Sequence, residues 1–460
     1  MLLSFTLKNF RSFADEQEFS MVASNRYPDH PEHLFKVPGA EDSLLRTAIV
    51  YGANGSGKSN LIKALRFVQS LIVSGTQPDK TIPRQPFLFD ARAGREPSKF
   101  QLRFVQNEFV FDYGFIVTDM EVSEEWLFLL RGSKETSVFE RVTKGDSTTI
   151  EPGAALIDAE FGDHSKTTAL ARLGVRGNQL FLAAVREGLN VADHGPLIRA
   201  VLDWINSIVI VMPDANFGAL AQWVANDSAF TGFASRFLRD ASTGVAALRI
   251  DNQELDEKSI LPIDFAKQMI GDAQPGEVRP IHLPGMGIVF LQKGEGQKIL
   301  LQTIRAEHLD NEGHAVALPL LEESDGTQRL THLLPTLFQL QGSRRIYVID
   351  ELDRSLHPLL AKKFIEFFLR ACGSKKGQLI VTTHESNLMD LDLLRRDELW
   401  FTEKSPQGIT SLYSLADFKV RTDLKIDKGY LQGRFGAIPF LGNLDRLAED
   451  TVSPPEAAWR

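Results

Sequence analysis

Residues 52–59, with the sequence GANGSGKS, have the residue types and spacing of a phosphate-binding loop. They fit the pattern G-x-x-x-x-G-K-[ST], in which glycines let successive backbone N–H groups surround a phosphate. Lys58 would then bridge the β- and γ-phosphates, and the Ser59 hydroxyl would be a ligand of Mg²⁺. We therefore predict that this loop binds ATP with Mg²⁺, through Asn54, Gly55, Gly57, Lys58, Ser59 and Asn60.

An acidic pair, Asp350 and Glu351, follows an apolar segment later in the chain. The preceding residues 346–349 (IYVI) have the composition of a buried strand, and α/β sheets bind ligands at the carboxyl ends of their strands. We expect Asp350 to hold the magnesium ion through water and Glu351 to polarise the attacking water as a catalytic residue. For an isolated acidic pair, a strand that ends in a solvated turn would be the alternative.

Two weaker signals could complete a triphosphate site. His384 ends the next apolar strand, 33 residues after Glu351, where its side chain could reach a γ-phosphate. Ser324 stands 26 residues before Asp350, and with Gly326 it could open a helix whose N–H groups face a phosphate. A structural histidine and an ordinary Ser-x-Gly helix cap are the alternatives.

The elements around these motifs alternate between strands and helices at both ends of the chain. We predict buried strands within 1–13, 46–51, 344–350 and 378–384, helices at 60–74 and from Leu359, and a hairpin formed by LWFTEK and ITSLYSL. Period-two alternation over 100–142 predicts an antiparallel sheet, and strand-like segments return over 287–318. Residues 156–275 are mostly helical in character, and their prolines exclude a long coiled coil.

This alternation indicates one α/β core that a helical insertion interrupts. We expect an α/β fold with a mixed-sheet core around the phosphate loop and an antiparallel β lobe. Its N-terminal part would span residues 1–155, the helical insertion 156–280, and its C-terminal part 281–460.

Composition restricts the partners of such a protein. The net charge is −9, from 51 basic and 60 acidic residues, whereas proteins that bind nucleic acid tightly usually carry a basic excess. The only cysteine, Cys372, excludes an internal disulfide and a cysteine zinc cage. We find neither an apolar run of about 18 residues nor a signal peptide, so we expect a cytoplasmic protein without a membrane partner.

The order of these motifs resembles the ATPase heads of the ABC class, and in particular the SMC, RecF and OLD branch. The opening LKNFRSF (7–13) is similar to that branch's first strand and turn. The segment Gly429–Pro439, together with ESDGTQRL (323–330), is closer still to the compact, arm-less ATPases of bacterial antiphage and abortive-infection systems. The resemblance covers residues 1–90 and 315–415 and implies an ABC-type head.

The resemblance also implies that two copies cooperate in a head-to-tail dimer or a larger homo-oligomer. Ser324 and Gly326 of one subunit would close on the γ-phosphate that Lys58 of the other subunit holds. His384 would be the switch residue, and residues 355–357 would form the loop that crosses the interface.

Other positions are carried over from the resemblance alone. Arg11 would approach the nucleotide, and Gln85 is our choice for the glutamine that reaches both nucleotide and Mg²⁺, because Gln69 is expected to be exposed in the middle of a helix. The chain departs from the family where LSGGQ is replaced by ESDGT. There, Asp325 brings a negative charge near a phosphate, which could slow ATP-driven closure.

On this basis we predict an ATPase that binds and slowly hydrolyses ATP as the sensor and scaffold of an antiphage abortive-infection system. The closed assembly would hold a separate effector, such as a TOPRIM nuclease, until a phage trigger protein releases it. The alternative is a RecF-like, ATP-dependent DNA-binding protein in repair, so direct binding of DNA stays open. A nuclease in its own right ranks third, because no metal-carboxylate cluster remains once the ATPase residues are assigned.

Two other clusters are set aside. His30 and His33, with Asp29, lie in a proline-rich loop where we expect no further ligand to converge, so we do not predict a metal site there. Asp390 and Asp392 could indicate a fused TOPRIM nuclease, but the 76 residues after His384 are too few for a domain of about 100 residues beside the ATPase core.

Overall fold

The structure is a computed structural model that describes residues 1–438 apart from 38–41, 133, 146, 215–219, 257–258, 260, 275, 284–286, 295–297, 341–343, 373–376 and 420–424. Pro439, the last residue of the C-terminal motif, therefore lies outside the described residues. The helices, numbered in chain order, are α1 Lys58–Ser74, α2 Ala154–Ile157, α3 Ser165–Leu173, α4 Phe181–Gly188, α5 Pro196–Asn206, α6 Leu220–Asn226, α7 Ser228–Asp240, α8 Ile263–Ile270, α9 Asp325–Gln339, α10 Pro358–Cys372 and α11 Ile426–Leu431.

The strands, numbered in the same way, are β1 Leu2–Lys8, β2 Gln17–Ser20, β3 Leu34–Lys36, β4 Ser43–Leu45, β5 Thr47–Tyr51, β6 Ser98–Gln106, β7 Phe109–Val117, β8 Val122–Arg131, β9 Lys134–Lys144, β10 Ser147–Pro152, β11 Ile208–Val211, β12 Ala247–Glu254, β13 Val278–Leu283, β14 Gly287–Lys293, β15 Ile299–Leu309, β16 Ala315–Pro319, β17 Ile346–Ile349, β18 Gln378–Thr382, β19 Leu399–Lys404 and β20 Thr410–Ser414.

A six-stranded sheet in the order β11-β17-β18-β5-β19-β20 forms the core. The first five strands are parallel, and β20 returns antiparallel to β19 as the predicted hairpin. Every residue of β5, β17 and β18 is buried, which is why these segments are almost continuously apolar. Because the three strands are parallel neighbours, their carboxyl ends lie side by side at one edge of the sheet.

The core sheet separates two hydrophobic clusters. Ala48 and Val50 of β5 face a cluster that includes α1, α4, α5 and the strands of the N-terminal lobe. Ile49 and Tyr51 face the opposite cluster, which includes α6, α7, α9 and α10. Alternate side chains of one strand thus hold α1 on one face and α9 on the other, and both helices begin at the edge where the strands end.

The N-terminal lobe is a seven-stranded antiparallel sheet in the order β10-β9-β8-β7-β6-β1-β2. The antiparallel sheet expected over 100–142 is confirmed, and β1, β2 and β10 extend it. Trp204 of α5 stacks on Phe104 of β6, with 3.8 Å between the ring centroids, and thereby ties the lobe to the segment that leads into β11. The core sheet and this lobe confirm the predicted α/β architecture, with a mixed core and an antiparallel lobe.

The segment 156–280, expected to be a mostly helical insertion, also contains strands. It carries α3 to α8, but β11 joins the edge of the core sheet, and β12 and β13 belong to a five-stranded antiparallel sheet with β14, β15 and β16. The expectation missed β11 because a four-residue IVIV run is too short to alter the pattern of a helical region, and β12 because its polar residues leave no apolar alternation. The division of the chain at residues 155 and 280 remains a prediction.

No helix in the described ranges combines the length and the apolar character that crossing a lipid bilayer requires.

Candidate nucleotide-binding site

The phosphate loop lies between the end of β5 and the start of α1, as predicted. Lys58 is 5% exposed, and its ammonium group donates to Gly52 O at 2.7 Å and to Ala53 O at 3.2 Å. Burial lowers the pKa of Lys58 to about 8, although the nearby carboxylates, Asp350 foremost, act in the opposite direction. The ammonium group of Lys58, which would contact a bound triphosphate, is therefore held inside the loop by main-chain carbonyls.

Two glycines let the loop pack against the β19–β20 hairpin. Gly52 has φ 153°, and a Cβ there would lie 2.4 Å from Thr402 O; Gly57 has φ 120°, and a Cβ there would lie 2.5 Å from Thr410 Oγ1. The Thr410 hydroxyl in turn donates to Ser56 O at 2.7 Å. These positions need glycine for both conformation and space, and the hairpin threonines that shape the loop carried no signal in the sequence.

The other loop residues differ in their surroundings. Asn54 and Gly55 are exposed at the tip of the loop. The Asn60 side chain donates to Ser12 Oγ at 2.8 Å, so it ties α1 to the turn after β1. In that turn Arg11 N donates to Gln85 O at 2.7 Å, which places Arg11 and Gln85 next to each other.

Arg11 and Gln85 leave side-chain groups available at this turn. Arg11 adopts the left-handed φ of 52°, and its buried Nε has no hydrogen-bond partner among the described residues. Gln85 is exposed. Gln69, expected to be exposed, is half-buried instead and donates to Ile205 O at 3.0 Å and Ile208 O at 2.8 Å. Gln69 lies in the middle of α1, as expected. Its two hydrogen bonds connect that helix to the end of α5 and the start of β11.

Asp350, at the end of β17, joins the two neighbouring strand ends. It is 1% exposed, and its Oδ1 accepts from Thr382 Oγ1 at 2.6 Å and from Ser59 Oγ at 3.1 Å. Its Oδ2 is buried without a hydrogen-bond partner in the part of the chain that the structure describes. A buried, unpaired carboxylate oxygen beside a hydroxyl suits a hard cation such as Mg²⁺, so these residues fit the predicted metal.

Glu351 stands beside this carboxylate in a strained backbone conformation. Its φ is 51°, in the left-handed region that glutamate rarely adopts, and Glu351 N donates to Thr382 Oγ1 at 2.8 Å. Its side chain lines an open cavity of about 660 Å³. The cavity is also lined by Ser59, Lys63, Arg66, Gln69, Ile210, Met212, Pro213, Asp214, Asp350 and Arg354.

His384 follows β18 and faces the phosphate loop. Its Nδ1 lies 3.2 Å from Lys58 Nζ, and its main-chain N–H donates to Asp353 Oδ2 at 3.1 Å. Partial burial, followed by the positive charge of Lys58, lowers the pKa of His384. The imidazole is therefore neutral near pH 7, and its Nδ1 accepts a hydrogen bond from the Lys58 ammonium.

Ser324 and Gly326 occupy the start of α9. The Ser324 hydroxyl accepts from Thr327 N at 3.2 Å, so it caps the helix, as the alternative interpretation of this motif supposed. A Cβ at Gly326 would lie 2.7 Å from Ser355 O, so the glycine lets the helix start touch the loop that follows β17. The segment expected to bind a partner's phosphate and the loop expected to cross the interface are thus neighbours in one chain.

Arg329 is a further residue of this site that the sequence did not reveal. It is buried; its Nη2 donates to Asp350 O at 3.2 Å and its Nη1 to Met212 O and Pro213 O at 3.4 Å each. Burial lowers the pKa of Arg329. The sequence did contain an indication of this role. Arg329 stands four residues before Leu333, on the apolar face of an amphipathic helix, where a charged side chain without a partner would be costly.

The fold and these contacts define a P-loop ATPase head of the ABC class. The chain belongs to the family described as "AAA domain, putative AbiEii toxin, Type IV TA system", which matches residues 48–390. That range runs from the strand before the phosphate loop to the residues just after His384. The predicted fold class, a P-loop ATPase head, is thereby confirmed.

Among solved structures, the chain is similar to SMC head domains. That of Thermotoga maritima has 15% identity and a TM-score of 0.35, over 90% of this chain and 98% of that one. An Smc head bound to the C-winged helix domain of ScpA has 12% identity and a TM-score of 0.37, over 90% and 97%. An Smc head with an extended coiled coil, bound to a ScpA domain derived from Pyrococcus furiosus, has 12% identity and a TM-score of 0.36, over 94% and 98%. No curated protein matches the chain significantly.

The lowered pKa of Lys58 predicts that binding of ATP at this loop depends on pH. Above about pH 8 the free protein loses the Lys58 proton, whereas a bound triphosphate favours the charged form. We therefore expect the affinity for ATP to fall as pH rises beyond 8, approaching about tenfold per pH unit. Isothermal titration calorimetry between pH 7.5 and 9.5 measures this slope. In Lys58→Arg the charge persists, so the slope should vanish; an unchanged slope would assign it to another group.

Proposed function

We propose that the protein binds ATP with Mg²⁺ and hydrolyses it slowly. The observation that carries this proposal is the position of Asp350, whose carboxylate accepts from Ser59 and Thr382 and keeps one oxygen unpaired. These contacts bring together the phosphate loop and the ends of two further strands. When bound, Mg²⁺ would neutralise charge on the β- and γ-phosphates.

The other residues of the site would bind the phosphates, activate the attacking water or position Asp350. Lys58 would exchange the carbonyls of Gly52 and Ala53 for phosphate oxygens. His384, neutral and already beside Lys58, would donate a hydrogen bond from its other ring nitrogen to the γ-phosphate. Glu351 would accept the proton of the attacking water. Arg329 is a positioning residue, because it binds the main chain of Asp350 and does not face the cavity.

Two substitutions test this assignment. Lys58→Ala removes the phosphate contact and should abolish ATP binding in calorimetry. Glu351→Gln keeps the shape but not the base, so it should retain binding while hydrolysis falls by about 10²–10⁴-fold. Glu385→Gln is the matched control, since Glu385 also follows β18 but caps its own 3₁₀ turn; its rate should equal that of the parent. Hydrolysis by Glu351→Gln at the parental rate would refute the assignment.

We further propose that two copies form a head-to-tail dimer around ATP. The support is the contact between Gly326 and the Ser355 main chain, which puts the start of α9 and the 355–357 loop on one surface. Ser324 and Asp325 are exposed there. The free N–H groups of α9 would meet the γ-phosphate that Lys58 of the second copy holds, and the Asp325 carboxylate would oppose that approach.

The charge of Asp325 can be tested separately. Asp325→Asn removes one negative charge near the γ-phosphate of the second copy and should strengthen ATP-dependent dimerisation by about fivefold, the effect of about 1 kcal/mol between close charges in water. Analytical ultracentrifugation in the Glu351→Gln background measures the dimer constant. Glu322→Gln, three residues earlier and also exposed, serves as the control. Equal dimerisation of both variants would contradict the proposed closure.

We also propose that the ATPase serves antiphage abortive-infection defence by holding a separate effector, such as a TOPRIM nuclease, until a phage trigger protein releases it. The family description, which names a putative AbiEii toxin and a type IV toxin–antitoxin system, supports a role of this kind. We propose AriA, the ATPase of the PARIS system, as the member of this group that the C-terminal motif resembles. The net charge of −9 favours a protein partner over the alternative, RecF-like binding of DNA.

The insertion is the natural place for that effector, because it touches the ATP site directly. Asp350 N donates to Val211 O of β11 at 2.9 Å, and Arg354 pairs with Asp214 at 2.7 Å. A partner on the insertion would therefore sense whether the site is closed.

Co-expression with a candidate TOPRIM nuclease tests the holding function. With a tag on the ATPase, Glu351→Gln should retain the nuclease and Lys58→Ala should release it, because only the former keeps ATP bound. Equal retention of the nuclease by both variants would show that effector binding does not depend on bound ATP, against the proposal. A gel shift with duplex DNA, with and without ATP, tests the alternative: tight, ATP-dependent and salt-sensitive binding would favour a repair protein.

A further inference from the structure

Three side chains far along the chain from the ATP-site motifs converge in the loop before β3. His30, Glu32 and His33 each direct one potential ligand atom to a common point, and these atoms lie within 4.8 Å of one another. His30 Nδ1 is 3.3 Å from Glu32 Oε1, and His33 Nε2 is 3.8 Å from the same oxygen. In a tetrahedral zinc site with bonds of 2.0–2.1 Å, ligand atoms are about 3.3 Å apart. The 3.3 Å distance already has the spacing of metal ligands, whereas the other two, 3.8 Å and at most 4.8 Å, would have to shorten on metal binding.

The opposite ring nitrogen of each histidine determines where its lone pair points. His30 Nε2 lies 2.8 Å from Leu391 O, and His33 Nδ1 lies 3.1 Å from both carboxylate oxygens of the buried Glu398. A carbonyl and a carboxylate only accept hydrogen bonds, so these two nitrogens carry the hydrogens. In the neutral rings the lone pairs are then on His30 Nδ1 and His33 Nε2, the two atoms that face Glu32.

Three acceptors that face one another need a cation between them. Two lone pairs and a carboxylate repel one another unless a metal ion or added protons occupy the space. Metal-binding histidines in proteins almost always donate their other ring N–H to a carboxylate or a carbonyl, as both rings do here. The hydrogen bonds that orient both histidines as metal ligands are thus already present.

The loop is held in this shape independently of any ion. His30 is in the left-handed conformation, with φ 50° and ψ 58°, and Pro31 opens the short 3₁₀ helix Pro31–His33. The buried Arg395 side chain donates to Asp29 O and pairs with Asp397, whose carboxylate also accepts from Ser24 N at 2.7 Å. His33 is 4% exposed, while the Glu32 side chain is 66% exposed. Glu32 is therefore the most exposed member of the cluster and His33 the most buried.

We propose that His30, Glu32 and His33 bind a Zn²⁺ ion, with water as the fourth ligand. Two imidazoles and one carboxylate form a borderline donor set that suits zinc and disfavours Mg²⁺, which prefers oxygen ligands. The ion would hold the His30–His33 turn in one shape, and the His30–Leu391 and His33–Glu398 hydrogen bonds connect this turn to the segment before β19. The role of the ion is structural. The earlier expectation that no further ligand converges here is wrong, because Glu32 supplies it and Asp29 does not.

Metal titration of the full-length chain tests the site. Protein stripped with EDTA and desalted is titrated with Zn²⁺ at pH 7.5 without nucleotide, and binding is followed by calorimetry and by thermal denaturation. We expect one Zn²⁺ per chain and a higher melting temperature. Titration with Co²⁺ should give the visible absorption bands of tetrahedral coordination, a readout independent of ATPase activity.

Variants assign the binding to these residues. Glu32→Gln and His30→Ala should lose the zinc equivalent and the thermal shift, while Glu398→Gln should weaken binding by about 10–100-fold. His314→Ala is the matched control, because His314 is an exposed histidine close to Asp310 and Glu312; it should bind like the parent. Equal melting temperatures in EDTA establish that Glu32→Gln, at an exposed position, is folded.

Two outcomes would overturn the proposal. The first is a parent protein that shows neither a zinc equivalent nor a thermal shift, which would mean that protons alone neutralise the cluster. The second is zinc binding that survives in Glu32→Gln and His30→Ala, which would place the ion elsewhere. Neither outcome bears on ATP binding, because Lys58, Ser59 and Asp350 are unchanged in every variant.

Discussion

The parallel pairing of β17, β18 and β5 is the constraint on which the proposed ATP site depends. Val348 pairs with Ile380, and Ile380 pairs with Ala48, so the three strands end together at one edge of the sheet. This register brings Asp350 within hydrogen-bonding distance of Thr382 and Ser59, although these residues are far apart in the chain. A slip of one residue in any strand would turn its buried side chains to the other face and separate the groups. The hydrophobic cores on both faces therefore maintain the geometry of the polar edge.

The elements that the sequence predicted well are those that a strong local pattern marks. The phosphate loop, the apolar strands before Asp350 and His384, and the hairpin at the end of the core each have a spacing that few other structures share. The cofactor motifs and the strands around them were enough to predict the class of protein. Residues that act only through tertiary contact left no such mark. Thr382, Thr402 and Thr410 are ordinary strand residues until the fold places them against the phosphate loop and Asp350.

The insertion and the histidine loop show a second limit of sequence patterns. β11 is four residues long and joins the core sheet only because Ile208 to Val211 find a free parallel edge beside β17. In the histidine loop, the spacing suggested Asp29 as a companion of His30 and His33, but the backbone conformation directs Glu32 towards them. In both places the course of the backbone depends on residues that are distant in the chain. Local composition therefore could not predict it.

The edge strand β11 has a consequence for how mechanical load passes through the molecule. Its carbonyl at Val211 is hydrogen-bonded to the amide of Asp350, and the next two carbonyls hold the Arg329 guanidinium. A displacement of β11 would therefore act on Asp350 and Arg329 through direct hydrogen bonds to the main chain. Residues 211–213 thus connect the segment 156–280 to the edge of the core sheet where Asp350 lies.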